Sequence, residues 1–464
     1  MNFWQRVNQW WLWLTIFALP LSTRKVIWSV FHGGEFVDYA SVSLFLSDIL
    51  VVGLLLVWLL DLSHPKKFNW GPKVITVPLL VLSGWMWLSL LWCTGPSANW
   101  VIGAIAALRF TLYVGFYFYL VNRVTDIKTI LFPLACGMVL QSFIALGQYF
   151  ANHSLGLKWL GESVLDPAKS GIPVVLVEGV RRLRAHGTLP HANVLGGYLA
   201  VGLALIWPLL FSRIPRRWQI GWWLVAGLSL IGLFFSLSRS AWLAFGGGAV
   251  VVSIWLMVKY FRRWRDGLKV GWWVVLVVTV LVASQYRVVM PRWNSNNVLE
   301  QISISSRVQQ WADFQRIYPA HPLTGVGIGQ YFLNVWQPEA AVVGWHYQPA
   351  LGGWSYEPGR KLSYYQPIHD IYLLAVAELG PVGGVALLWL LGGVIWVAIR
   401  LWRRQPVWGV TVLWAILAVA GIGVVDHYFW TLPSGRLIFM LVVSLAAVLW
   451  INPGYNKKDG RAAE

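Results

Sequence analysis

The sequence predicts an all-α fold: a polytopic membrane protein with about twelve transmembrane helices and a large periplasmic loop containing short helices. Three observations predict it. The 464 residues are 58% hydrophobic and 12% charged, with a mean hydropathy of +0.61, more apolar surface than a soluble domain can hide. The 33 tryptophans fit the same class, because indole rings favour the membrane–water interface. Apolar runs near or above the spanning length of ~20 residues recur along the whole chain.

Those runs lie at 9–22, 40–61, 74–93, 101–121, 129–150, 190–212, 219–236, 240–260, 270–287, 370–399, 407–425 and 434–451. No strand-like alternation competes with them, and no repeat of fixed period is present. The first run has no small-residue cleavage site after it and reads as a retained helix. Cys93 and Cys136 fall in or beside apolar runs, a pattern of neither a disulfide framework nor a metal site.

Basic residues set the expected orientation. Arg6, the Lys66–Lys67–Lys73 group, Arg213 with Arg216 and Arg217, Arg262 to Lys269, Arg400 with Arg403 and Arg404, and Lys457 to Arg461 all fall on one side. By the positive-inside rule that side is cytoplasmic, as are both termini. The long segments 151–189 and 288–369 then face outward, the second as a periplasmic loop within a single transmembrane domain spanning 1–464. The net charge of +18 is accounted for by such cytoplasmic connections, and with no basic soluble domain nucleic acid is not an expected partner. Within the second loop, Val308, Trp311, Phe314 and Tyr318 recur at helical spacing, and Pro322, Gly325 and Gly327 end the segment.

Four polar positions stand at outer helix ends or in outer loops: Arg184 in RAHGTLPHAN, Arg239 in SLSRSAW, Arg307, and His369 at the start of an apolar run. A guanidinium fork matches two phosphate oxygens and keeps its charge at any pH, so several on one side suit a pyrophosphate attached to a lipid. A lone arginine at a helix end more commonly snorkels to headgroups or pairs with an acid. Arg239 resists that reading, since it interrupts two apolar runs where the connection is too short to be a solvated loop. Arg109, inside a run, reads either as lining the site or as half of a structural ion pair. His369 is either a helix-start histidine bonded to backbone or a general base, imidazole having an unperturbed pKa of about 6.5. Asp370 and Glu378 are candidates to orient it, while His186, His191 and His321 are rivals for its role. These histidines have no metal-ligand spacing, so no metal and no cofactor is expected.

The order RAHGTLPHANVLGGYLA, SLSRSAWLAF, SRVQQWADFQRIYPAHPLTGVGIGQYF, HDIYLLAVAELGPVGG resembles the O-antigen ligase and O-antigen polymerase superfamily over about residues 180 to 390. The resemblance implies a glycosyltransferase of the bacterial inner membrane, acting in lipopolysaccharide and cell-envelope polysaccharide biosynthesis. Such an enzyme takes a glycan from undecaprenyl pyrophosphate and passes it to a lipid or glycan acceptor on the periplasmic side. Carried over by motif, Arg184, Arg239 and Arg307 would hold the pyrophosphate and His369 would be the catalytic base, with Asp370, His191 and His321 as possible supporting residues. The sequence reads His-Asp here where many relatives read His-Asn.

Attack on the anomeric carbon from the face opposite the leaving group would invert that centre without a metal. Trp354, Tyr356, Tyr364 and Tyr365 are candidates either to stack on sugars or to anchor at the interface. The motifs serve a ligase, a repeat-unit polymerase or a protein O-oligosaccharyltransferase equally. A solute transporter is the alternative from another class, disfavoured because the polar residues gather on one face rather than at the midplane.

Overall fold

The computed structural model describes residues 3–452 apart from 33–34, 37, 62–66, 94–98, 170, 212–214, 260–271, 273–274, 277–278, 281, 295–296, 336–343, 349–352 and 358–365. It is mostly helical. In chain order the main helices are α1 (Phe3–Phe17), α2 (Leu46–Leu60), α3 (Lys73–Leu88), α4 (Trp100–Arg123), α5 (Lys128–Ala151) and α6 (Ala192–Ile206). They continue with α7 (Arg216–Phe235), α8 (Arg239–Lys259), α9 (Val298–Ile317), α10 (Ile371–Arg404), α11 (Pro406–Gly423) and α12 (Pro433–Ile451).

Seven helices among the described residues are long and apolar enough to cross a membrane: α3 with its 3₁₀ extension to Trp92, α4, α5, α7, α10, α11 and α12. That is fewer than the expected twelve. The apolar helices α2 and α6 have only 15 residues each, and the span expected at 270–287 is interrupted by residues outside the described set. Burial explains how α6 tolerates its length. Nearly every one of its residues is buried against α5, α7, α8 and α11, so its backbone is sheltered by protein rather than lipid. Its counterpart at the centre of the bundle is α12, with 83% of its apolar window buried and its side chains packed on α4 and α11.

Short antiparallel ribbons join these helices, a feature absent from the helix-only reading of the sequence. Arg24–Trp28 pairs with Val42–Phe45, Val174–Val177 with Val180–Leu183, and Gly344–Gln348 with Gly353–Glu357. The second closes through Glu178 and Gly179, both at positive φ (50° and 82°), the two-residue turn whose twist suits a tight hairpin. In the third, Tyr347 faces Trp354 and Trp345 faces Tyr356 in the backbone register. The side chains of Trp354 and Tyr356, and all of Tyr364 and Tyr365, lie outside the described residues.

The amphipathic helix expected in the second loop is present and longer than its apolar spacing indicated. It begins at Val298 because Asn297 caps it, its side-chain oxygen accepting the Leu299 N–H at 3.0 Å. Arg307 therefore sits in the middle of α9 and does not open it. Trp311, Phe314 and Tyr318 stack in sequence, with centroids 5.8 and 5.1 Å apart, and the helix passes into a 3₁₀ turn at Tyr318–Ala320.

A break in α10 ties this segment to the bundle. Pro381 has no N–H to return to Ala377, and Gly380 adopts φ 66°, ψ −170°, so three carbonyls lose their helical partners. Val326 N–H donates to Ala377 O and Gly327 N–H to Glu378 O, both at 2.9 Å, while Trp85 Nε1 donates to Leu379 O at 2.8 Å. The segments HPLTGVGIGQYF and ELGPVGG are thus interlocked. A Cβ on Gly380 would strike the Leu323 carbonyl, so only glycine fits.

Candidate functional site

His369 lies one residue before the N-cap of α10. Its backbone N–H and its ring Nδ1 both lie 3.0 Å from Oε1 of Gln310, on α9. A backbone N–H only donates, which identifies the Gln310 atom as the amide oxygen, an acceptor. Nδ1 must then carry the ring proton, and the lone pair sits on Nε2. The His369 ring meets His427 edge-to-face, with centroids 4.8 Å apart. A ring nitrogen of His369, a carboxylate oxygen of Asp426 and a ring nitrogen of His427 all lie within 4.8 Å of one another. Burial holds the His369 pKa below its ordinary value; the Asp426 carboxylate pulls it back up and Arg307 pushes it down. The imidazole is neutral at pH 7.

Arg184 follows the ribbon 180–183 and is buried. Its Nε donates to Ser236 O at 3.1 Å and its Nη2 to Asn193 Oδ1 at 2.5 Å, and Asn193 in turn donates to Asp426 Oδ2 at 2.8 Å. Arg239, the first residue of α8, pairs with Glu300 at 2.7 Å and donates to the Arg292 carbonyl at 2.7 Å. Arg292 pairs with the same carboxylate. One acid thus serves two guanidinium groups. Burial and then the charge of Arg292 press the Arg184 pKa down, while Glu300 and Asp426 only partly offset them. Arg307 donates to Val425 O at 3.4 Å and acts electrostatically on both Arg292 and His369. Four arginines, against the carboxylates of Glu300 and Asp426, thus gather beside the imidazole.

The other expected residues fall in distinct places. His191 caps α6, its Nδ1 accepting the Asn193 N–H at 3.0 Å, and it lies close enough to His369 and His427 to feel their charge. The Asp370 carboxylate caps α10, accepting from Tyr372 N–H at 2.8 Å and Leu373 N–H at 3.0 Å. Asn and Asp are both strong N-caps, a physical reason for either to follow the histidine. His321 sits apart, in the turn after α9, where its carbonyl accepts the Gly325 N–H at 3.0 Å. Glu378 accepts from Gly329 N–H at 3.1 Å and Trp430 Nε1 at 2.9 Å, away from the imidazole. His186 is 2% exposed, and neither of its ring nitrogens has a hydrogen-bond partner among the described residues. Burial, reinforced by Arg184, drives its pKa to about 3.

Gln310, Asn193, Glu300 and the Asp426–His427 pair escaped sequence reasoning. The pair had a legible signal: two polar residues, in GIGVVDHYFW, interrupt the apolar sequence between α11 and α12. His369, Asp426 and His427 also form the one group of metal-type ligands gathered this closely among the described residues. It comes from two distant parts of the chain and leaves no spacing motif.

Beyond His427 lies a cavity of about 160 Å³. Thr431, whose hydroxyl meets His427 Nδ1 at 2.7 Å, lines it, and so does Tyr39, whose ring lies 5.7 Å from that of His427. Arg109 lines it too and is paired with Asp48 at 3.0 Å, the structural ion pair that was one of its two readings.

Fold and site together define an integral membrane protein with a buried, histidine-centred polar site rimmed by arginines. Residues 224–388 match the family model described as O-antigen ligase, which bears out the superfamily resemblance carried by the motifs. The matched stretch includes Arg239, Arg307, Gln310 and His369, while Arg184, His191 and Asp426 lie outside it. The chain matches none of the curated proteins compared with it.

Proposed function

We propose that the protein is an O-antigen ligase-like glycosyltransferase that moves a glycan from undecaprenyl pyrophosphate to an acceptor hydroxyl. The observation that carries this reading is the Gln310–His369 contact, within the family-matched stretch, which leaves the ring lone pair on Nε2, with Asp426 and the arginines nearby. The acceptor hydroxyl gives its proton to His369 Nε2 as its oxygen bonds to the anomeric carbon. The bond from that carbon to the pyrophosphate oxygen breaks, and the electron pair leaves with the lipid pyrophosphate. Arg184, Arg239 and Arg307, joined by Arg292, stabilise that charge. Asp426 stabilises the imidazolium. Attack opposite the leaving group inverts the anomeric centre, and no step calls on a metal.

In this reading the segment 288–369 and the site lie on the periplasmic side of the bacterial inner membrane, with both termini in the cytoplasm. The basic connections support that placement. The test is release of undecaprenyl pyrophosphate by the purified protein supplied with lipid-linked glycan and candidate acceptors. Wild type turns over, and His369→Ala, with unchanged thermal stability, does not. Wild-type turnover in that variant would sink the assignment of the base. Product size separates a single-transfer ligase from a polymerase.

A further inference from the structure

The cavity beyond His427 is a second basic site, and it is not the one that holds Arg184, Arg239 and Arg307. Arg24, Arg109 and Arg436 line it, against two carboxylates, Asp38 and Glu378. Both acids are already engaged: Asp38 by Arg24 at 2.5 Å, and Glu378 by the Gly329 N–H and the Trp430 indole. Arg109 has Asp48. Arg436 has no such partner. It is 7% exposed, donates to the carbonyls of Trp430 and Ala106, and forms no ion pair among the described residues. Nη2 has no hydrogen bond to any described residue. The Arg436 guanidinium is held directly only by carbonyls, because the two acids that act on it from a distance, Glu378 and Asp48, are engaged elsewhere, and it stands in the wall of a cavity large enough for a small group.

We propose that this cavity binds an anion, a phosphate or carboxylate carried by the acceptor substrate, with Arg436 as its principal contact. The assignment to the acceptor rests on the transferase reading above. His427 and Pro367 supply the geometry. His427 touches His369 on one side and Tyr39 and Thr431, in the cavity wall, on the other. Pro367, two residues before the base, lines the cavity itself. Donor and acceptor charges would then be held on opposite sides of the base, each by its own arginines, with the acceptor hydroxyl delivered to Nε2.

Two measurements on the full-length purified protein test this. The first needs no turnover. Inorganic phosphate is titrated, at constant ionic strength, into Arg239→Gln/Arg307→Gln protein, which loses two of the four donor-side charges and keeps Arg184 and Arg292, and thermal unfolding is followed. Phosphate should raise the melting temperature, and adding Arg436→Gln should abolish the rise. Ser434→Asp, which places a carboxylate on the cavity wall, should abolish it with Arg436 intact and guards against a folding defect in the arginine variant. A rise that survives both changes, or no rise in the double variant, overturns the anion site. The second is steady-state transfer: Arg436→Gln should raise the acceptor KM at least about tenfold and leave the donor KM unchanged. A rise in donor KM instead assigns the anion to the donor and overturns the acceptor assignment. If wild type transfers nothing, the transferase reading and the acceptor assignment fall together, while the phosphate titration still decides the anion site.

Discussion

Replacing Gln310 with Ala removes the acceptor that holds His369 by two hydrogen bonds, each 3.0 Å long. A net contribution of about 1 kcal/mol per bond gives about 2 kcal/mol of positioning, a roughly thirtyfold fall in kcat. The substrate KM values should stay near wild type, since Gln310 acts through the imidazole rather than on substrate. Gln310→Glu separates positioning from packing. Its carboxylate would favour the imidazolium, raise the His369 pKa and move the acid limb of the pH–rate profile to higher pH. The assay is undecaprenyl pyrophosphate release at saturating donor and acceptor, between pH 5 and pH 9. A Gln310→Ala protein with wild-type kcat, or a Gln310→Glu profile that does not shift, refutes the claim that Gln310 sets the tautomer and poise of the base.

Acid should destabilise the fold. His186, with a pKa near 3 in the folded chain, stays neutral where the unfolded chain, near 6.5, takes a proton; stability is present above pH 6.5 and is lost as pH falls. At pH 5 this one residue costs about 2 kcal/mol, so His186→Phe should show a smaller drop in melting temperature between pH 7 and pH 5, and an equal drop removes His186 as a cause. Gly380→Ala meets both a positive φ and the Leu323 carbonyl and should lower stability by at least about 2 kcal/mol, seen as a lower thermal midpoint; an unchanged midpoint would mean the kink relaxes freely. Asp370→Asn should keep both stability and turnover because Asn also caps a helix, whereas Asp370→Ala should lose about 1 kcal/mol. A turnover defect in Asp370→Asn at unchanged stability would give the carboxylate a chemical role after all.

The sequence carried the helices well because membrane burial imposes long apolar runs, and most of those runs correspond to helices here. Span counting was weaker: α6 is sheltered by its neighbours, so its length answers to them and not to the bilayer. His369 and Arg239 were legible because each interrupts apolar sequence at a helix end, and Arg307 because it precedes the apolar spacing of α9, although it lies inside that helix. Gln310 and Asn193 were not. An amide on a polar helix face has no signature until the tertiary fold places something opposite it. Asp426 and His427 were passed over for another reason: they sit at the boundary between two helices, where a polar pair reads as a connection.

The latch between the α10 break and residues 326–329 has an implication for recombination. The segment bearing Arg307 and Gln310 and the helix that follows His369 share main-chain hydrogen bonds, so neither can be transplanted alone. A chimera that exchanges only 288–369 with another protein of this kind inherits glycines cut to fit a different break, and the amide and imidazole arrive out of alignment. An exchanged segment must run at least from Asn297 through Arg404 to keep this latch whole, and boundaries at 369, which split it, should lower turnover more than boundaries that leave it intact.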